Sequence, residues 1–337
     1  MTTYKDIHGS SIQNVDGDPA NTIRGQFWYD STASEFKYQD QFVDASGNAI
    51  GAWATGNDLN TARKDPSSSG TQTSALAFSG TDANGRTAAT ELYNGTTWAE
   101  VNDMITATQE TAGVGTSTAA LAFAGETSSV ALEDKTELWN GATWSELNDL
   151  NTGRRGLEGG GTSTSALGFG GFAGPDVGYV AITELWNGTN WTEVNDLNQA
   201  RSALGGVGTS NTAVLAFGGY VDPPGAAQDL TELWNGTNWT EVNDMTLANN
   251  SMGSTGTSTA ALSFGGNSPQ LSTQSWNGTN WSNENDLSTA RAQLEGSGTT
   301  TAGLAFGGTT GGTNRQATTE EWSGTGFIIK TLTTTSD

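Results

Sequence analysis

A glutamate two residues ahead of an aromatic recurs at Glu91, Glu137, Glu184, Glu232 and Glu320, and an arginine recurs at Arg63, Arg154, Arg201 and Arg291. Carboxylates repeated in this way could form a ring of ligands, or two of them could act as acid and base on a glycoside. Facing guanidinium groups, they would instead form ion pairs between neighbouring segments. The regularity favours pairing, because a catalytic pair should break the pattern and these glutamates keep it. A second polar motif, Asn-Asp, begins at Asn57, Asn102, Asn148, Asn195, Asn243 and Asn285. Its oxygens could hold Ca2+, but Asn and Asp at a strand exit more often close an Asx turn on their own backbone. The chain has no cysteine and a single histidine, His8. Thiolate nucleophiles and imidazole-based zinc or iron sites are therefore closed to it. These residues predict a protein that is not an enzyme, with no catalytic residues, no metal and no cofactor.

The motifs recur because one unit is written six times. The Asn-Asp starts lie 45, 46, 47, 48 and 42 residues apart, and Phe78, Phe123, Phe169, Phe217, Phe264 and Phe306 keep nearly the same period. One unit contains four strand-like pieces: LGGVGT at 204–209, AVLAFGG at 213–219, TELW at 231–234 and WTEV at 239–242. Asn235-Gly236-Thr237-Asn238 separates the last two, and Asn-Gly between strand-like runs is a strong hairpin signal. Four short antiparallel strands make a blade, and six blades close into a ring. The predicted fold is all-β: a six-bladed β-propeller over residues 51–337, in six repeats of 42–48 residues. Residues 1–50 form a small N-terminal β-hairpin attachment segment ahead of it.

Large aromatics mark the outer half of each unit. Trp139, Trp186, Trp234, Trp276 and Trp322, with Tyr93, fall on the third strand. Trp98, Trp144, Trp191, Trp239 and Trp281 follow on the fourth, with Phe327 at that place in the last unit. Rings there can fill the widening wedge between neighbouring blades. The Gly-rich first strands read as innermost, crowded around the axis. Trp53 lies four residues before Asn57, as every fourth-strand tryptophan does before its own Asn. A fourth strand at 51–56 could clamp the ring shut by joining the last blade, or belong to the N-terminal segment.

Strand, diglycine (Gly170-Gly171, Gly218-Gly219, Gly265-Gly266, Gly307-Gly308), variable loop, Glu-x-aromatic and then Trp together resemble the kelch repeat over residues 57–327. The first two units carry Ser79-Gly80 and Ala124-Gly125 in place of the diglycine. The kelch family includes copper oxidases that use a Tyr–Cys cross-link and two histidines, which this chain cannot supply. Runs of the type LNTAR followed by TELWNGTNW are similar to kelch-like proteins encoded by phages of marine bacteria. Gly25-Gln26-Phe27-Trp28-Tyr29-Asp30 through Phe36-Lys37-Tyr38 resembles a hairpin of phage tail and fibre proteins. The resemblance implies a virion component.

Charge narrows the partners. Thirteen basic residues against 36 acidic ones give a formal net charge of −23, a field that repels nucleic acid and anionic membranes. No run of 18 apolar residues occurs, so no membrane insertion is expected, and MTTYKDIHGSS lacks the apolar core of a secretory signal. Asn187-Gly-Thr and Asn235-Gly-Thr fit a glycosylation pattern but read as turn chemistry. The connections between second and third strands vary most; those at 172–181 and 220–229 carry Phe172, Asp176, Tyr179, Tyr220 and Asp222. Aromatic rings beside carboxylates suit a sugar. Taken with the resemblance to phage kelch-like proteins, the expectation is a tail-fibre or receptor-binding propeller, or a surface decoration. It would be made in the host cytoplasm without a signal peptide and located in the virion. Residues 1–50 would join other virion proteins, the loops would meet a host cell-surface glycan, and the chain would be a homo-oligomer within the particle. The alternative is a free carbohydrate-binding, lectin-like or carbohydrate-processing propeller.

Overall fold

A computed structural model describes residues 13–15, 27–32, 34–40, 51–127, 131–267, 269–324 and 328–331. Two compact units result: Met1–Gly51 with Thr325–Asp337, and Ala52–Gly324. In the first, the antiparallel hairpin of Phe27–Asp30 and Glu35–Asp40 is extended by Gln13–Val15 on one side and Ile328–Thr331 on the other. Tyr29 and Phe36 face each other across the hairpin, with ring centroids 5.0 Å apart. The boundary expected at 51–337 therefore shifts at its far end, because strand 328–331 pairs in this sheet and not in the ring. His8 lies outside the described residues.

The second unit is a six-bladed β-propeller, and no helix occurs among the described residues. Blade 4 shows the pattern. Gly205–Ser210 is innermost, then come Ala213–Phe217, Thr231–Trp234 and, outermost, Trp239–Glu241, all antiparallel. Blades 1, 2, 3 and 5 repeat this order with inner strands Ser67–Thr71, Ala112–Thr116, Glu158–Thr162 and Gly253–Thr257. Blade 6 takes Glu295–Gly298, Ala302–Phe306 and Thr319–Ser323 from the end of the ring, and its outermost strand is Ala52–Thr55. Each inner strand touches the next, and the sixth touches the first.

Of the two placements left open for Trp53, the structure takes the clamp. Trp53 pairs with Trp322 in register, with rings 5.2 Å apart. The position earlier assigned to Phe327 is filled by Trp53 instead, and Phe327 lies outside the described residues.

The wedges between blades hold the core. A fourth-strand tryptophan packs on the second-strand phenylalanine of the preceding blade: Trp98 on Phe306, Trp144 on Phe78, Trp191 on Phe123, Trp239 on Phe169, Trp281 on Phe217 and Trp53 on Phe264. Each indole N–H also donates to a threonine on that blade's third strand, or just before it at Thr90: Thr319, Thr90, Thr136, Thr183, Thr231 and Thr273 in turn. Trp139, Trp186, Trp234, Trp276 and Trp322 donate inward to the carbonyls of Ser117, Ser163, Asn211, Ser258 and Thr300. A buried indole must place its N–H somewhere, and this arrangement does so in every blade.

The phenylalanines also explain the inner glycines better than crowding at the axis does. A Cβ at Gly113 would come 2.6 Å from the Phe78 ring, and one at Gly206 would come 2.7 Å from the Phe169 ring. At these two positions the crowding comes sideways, from the neighbouring blade, whereas at Gly205 and Gly253 it comes from Phe217 and Phe264 of the same blade.

At five of its six places the Asn-Asp motif bonds across to the next blade. Asn57, Asn102, Asn148, Asn195 and Asn243 donate their side-chain amides to carbonyls in the outer hairpin of the next blade. Asp58, Asp103, Asp196 and Asp244 accept the backbone N–H of the threonine that opens, or at Thr90 directly precedes, the third strand of their own blade. The Asx turns lie in the hairpins, where Asn235 Oδ1 accepts from Thr237 N and Asn238 N. Gly236 there takes φ +91°, the conformation glycine adopts without a Cβ penalty.

Candidate functional site

Two places gather polar or aromatic groups that the core does not use: the axis of the ring, and one sector of the face where the inner strands begin.

A cavity of about 250 Å3 runs along the axis, walled by the inner strands. Its lining is mostly glycine, serine and threonine, with two large exceptions, Glu158 and Glu295. Both also line a second cavity of about 120 Å3 beside Asp65, Glu110 and Gln293, so they stand where the two meet. Glu158 opens the inner strand of blade 3 and Glu295 that of blade 6. Blades three apart in a ring of six lie on opposite sides of the axis. Protein surrounds both carboxyls, and only the void of the channel leaves them partly accessible. Burial pushes Glu158 well above the usual carboxylate range, and the charge of Glu295 adds to this. Burial pushes Glu295 up to about 8 against the opposing N–H of Gly296. Neither glutamate has a cation within ion-pair distance among the described residues.

The mouth of this channel is a collar of residues at positive φ: Asp65, Glu110, Gly156, Ala203, Ser251 and Gln293. Backbone N–H groups link Gly156 to Glu110, Ala203 to Gly156, Ser251 to Ala203, Gln293 to Ser251 and Asp65 to Gln293. Glu110 is raised to about 7, first by burial and then by the charges of Asp65 and Glu126, while Arg155 opposes the shift. Arg155 donates to Glu110 at 2.9 Å and lies 3.0 Å from Glu126 through Nε. Arg86 holds the other side of Glu126.

Arg155 connects the collar to the loops. Its guanidinium lies over the Phe172 ring, 5.3 Å from the centroid. Phe172 meets Tyr179 at 5.3 Å, and Tyr179 meets Tyr220 at 5.7 Å. Backbone bridges fix this row, with Phe172 pairing with both Arg155 and Tyr179, and Tyr220 pairing with Ser202. Phe172 and Tyr220 occupy the same repeat position in adjacent blades, so the row spans the seam between blades 3 and 4. All three rings are half-buried, while Asp222 beside them is exposed. The Tyr179 hydroxyl is raised by burial, then by Tyr220 and the Asp222 charge. Of the five loop residues expected to act together, the structure gathers Phe172, Tyr179, Tyr220 and Asp222. Asp176 sits exposed on the turn at 174–178.

Glu158 and Glu295 escaped the sequence reading. Aligned by repeat, their column reads Ser67, Ala112, Glu158, Gly205, Gly253, Glu295. Two long acids in a column of small residues break the pattern, and that signal was present. Arg155 lay hidden because it follows Arg154, whose repeat role was plain.

Four of the five recurring glutamates are structural. Arg63–Glu91, Arg154–Glu184, Arg201–Glu232 and Arg291–Glu320 form ion pairs with almost no exposed surface. Among the described residues no cluster of three His, Cys, Asp or Glu side chains is placed to hold a metal. No protein-family model matches the chain, and no curated protein is significantly similar to it.

Proposed function

We propose that this chain is a non-enzymatic adhesion or structural component of a phage particle, a kelch-like propeller that meets its target through one sector of one face. The observation that carries the reading is the row Phe172–Tyr179–Tyr220 with Asp222 beside it, mounted on backbone bridges across a blade seam. Flat rings at the surface pack on the apolar face of a pyranose, and a neighbouring carboxylate accepts its hydroxyl hydrogen bonds. Loops on a rigid ring favour binding because little ordering remains to be done. Residues 1–50 serve as the mount on other virion proteins, in a homo-oligomer within the particle. The partner at the face is a host cell-surface glycan, and the strongly acidic surface disfavours nucleic acid and anionic membrane.

The test has two parts. Immunogold labelling of purified particles locates the chain, with label on tail or fibres expected for a receptor-binding propeller and label over the capsid for a decoration protein. Binding of the purified chain to immobilised host surface glycan is then compared with Tyr179→Ala and Tyr220→Ala, each expected to weaken it at least tenfold. Absence of label from particles would overturn the virion reading.

The pair Glu158 and Glu295 favours a second reading, a free carbohydrate-processing propeller. Glycoside hydrolysis needs one carboxyl protonated and another ionised. Here burial pushes both carboxyls upward, and the charge of Glu295 raises Glu158 further.

A further inference from the structure

In four blades a connector arginine and a third-strand glutamate form a buried pair, and the guanidinium also donates to backbone carbonyls. Arg63 reaches Ser79 O and Ala89 O, Arg154 reaches Gly170 O and Thr152 O, Arg201 reaches Leu230 O, and Arg291 reaches Gly307 O and Thr318 O. Blade 5 replaces both partners with neutral amides. Asn249 stands in the arginine position and donates to Gly265 O at 2.8 Å, while Gln274 stands in the glutamate position. Blade 2 changes only one partner. Thr108 takes the arginine position, and Glu137 keeps its carboxylate.

Glu137 is 2% exposed. It accepts from Ile105 N at 2.8 Å and Thr106 N at 2.9 Å, and no cationic side chain of the described residues reaches it. Lys135 is turned to Asp149 at 3.2 Å, and Glu146 sits opposite Glu137 in register with a further negative charge. Burial, then the charge of Glu146, push the Glu137 carboxyl above its usual value. A void of about 10 Å3 remains beside it, and Thr106, Thr108, Ala124, Lys135 and Glu137 are among its walls. By repeat position, Thr106 matches Thr152, Ala124 matches Ser79, Gly170 and Gly307, and Lys135 matches Ala89, Leu230 and Thr318. These are the residues whose carbonyls hold the guanidinium elsewhere.

We infer that blade 2 binds a small monovalent cation, of potassium or ammonium size, where its sister blades carry a guanidinium. The valence follows from the single carboxylate, since a divalent ion seeks several anionic oxygens. The size follows from the void, which has room for about one water-sized sphere. The ligand set is the one that four other blades already use for a cation, and a buried carboxylate without a counter-charge is costly.

The test is thermal unfolding of the full chain at constant ionic strength in tetramethylammonium, potassium or ammonium chloride. The unfolding midpoint of the unaltered protein is expected to rise by roughly 5 °C in potassium or ammonium over tetramethylammonium, as occupancy of a native-state site requires. The two salts separate the ion from its ammonium analogue. The rise should vanish in Glu137→Gln, which copies blade 5, and in Thr108→Arg, which fills the site. Should both variants fold poorly, anomalous scattering from rubidium in crystals of the unaltered protein should show a peak against Glu137. Equal midpoints in all three salts, an undiminished rise in Glu137→Gln, or a rubidium map empty at Glu137 would each overturn the inference.

Discussion

Trp53 donates its indole N–H to Thr273 Oγ1 at 2.9 Å, although the two residues are 220 positions apart. The bond repeats what Trp281 makes to Thr231 and Trp239 makes to Thr183 between ordinary neighbours. At this seam it joins the first strand of the ring to the fifth blade, while Trp322 backs the same indole from the sixth. Truncating that ring to Trp53→Ala should lower stability by about 2–3 kcal/mol, below the figure for a fully buried tryptophan because Trp53 is only half-buried. Trp53→Phe should lose only the hydrogen bond, about 1 kcal/mol. Urea unfolding measures both, and equal stability of Trp53→Ala and the unaltered chain would mean that the clamp does not hold the ring.

The buried pairs separate from the lone glutamate by mutation. Glu184→Gln leaves Arg154 charged, enclosed and without its carboxylate, so a loss of about 3–5 kcal/mol is expected. Glu137→Gln leaves no orphaned cation and reproduces Gln274, so in tetramethylammonium buffer it should be neutral to within about 1 kcal/mol. Chemical denaturation of the two variants side by side decides, and similar losses would refute the distinction.

The axial glutamates give stability a pH dependence of definite sign. An acid whose folded pKa lies above its unfolded value holds its proton more tightly in the fold, so its contribution is fully present at low pH. That contribution falls as pH rises from the ordinary value of 4.5 toward about 8 for Glu295, and Glu158 acts in the same direction. The double variant Glu158→Gln with Glu295→Gln lacks this decline. Its stability relative to the unaltered protein should climb across that window and level off above it, as read by thermal midpoints at stepped pH. A constant difference would show that the carboxyls are solvated as in the unfolded chain.

Ser79 holds φ +58° where four other blades place the first glycine of a pair, and its hydroxyl is buried with no hydrogen-bond partner among the described residues. The left-handed conformation costs a non-glycine residue ~1–2 kcal/mol, and an unsatisfied hydroxyl adds to this. Ser79→Gly should therefore stabilise the ring by about 1 kcal/mol after the greater chain entropy of glycine is counted. Ala124→Gly, at φ +62°, should give a smaller gain. Differential scanning calorimetry would register both, and a lower midpoint in Ser79→Gly would contradict the strain.

Much of the fold was legible in the sequence because every blade must solve the same packing problem. The tryptophans, the second-strand phenylalanines and the Arg–Glu pairs recur since each fills the same wedge or the same buried position. The hairpin asparagines recur since each turn needs the same local hydrogen bonds. Periodicity exposes such residues without coordinates.

What the tertiary structure decided concerns relations across the ring. That Trp53 closes blade 6, that the Asn-Asp amides reach the next blade, and that Glu158 and Glu295 oppose each other all depend on residues far apart in sequence. The same holds for the row Phe172–Tyr179–Tyr220, which exists because two loops of adjacent blades turn toward one seam. Repetition in a sequence determines what each blade is made of. Which unlike residues then meet at the axis, at the seam or beside an absent arginine is set only when the ring closes, because closure brings units distant in sequence within reach of one another.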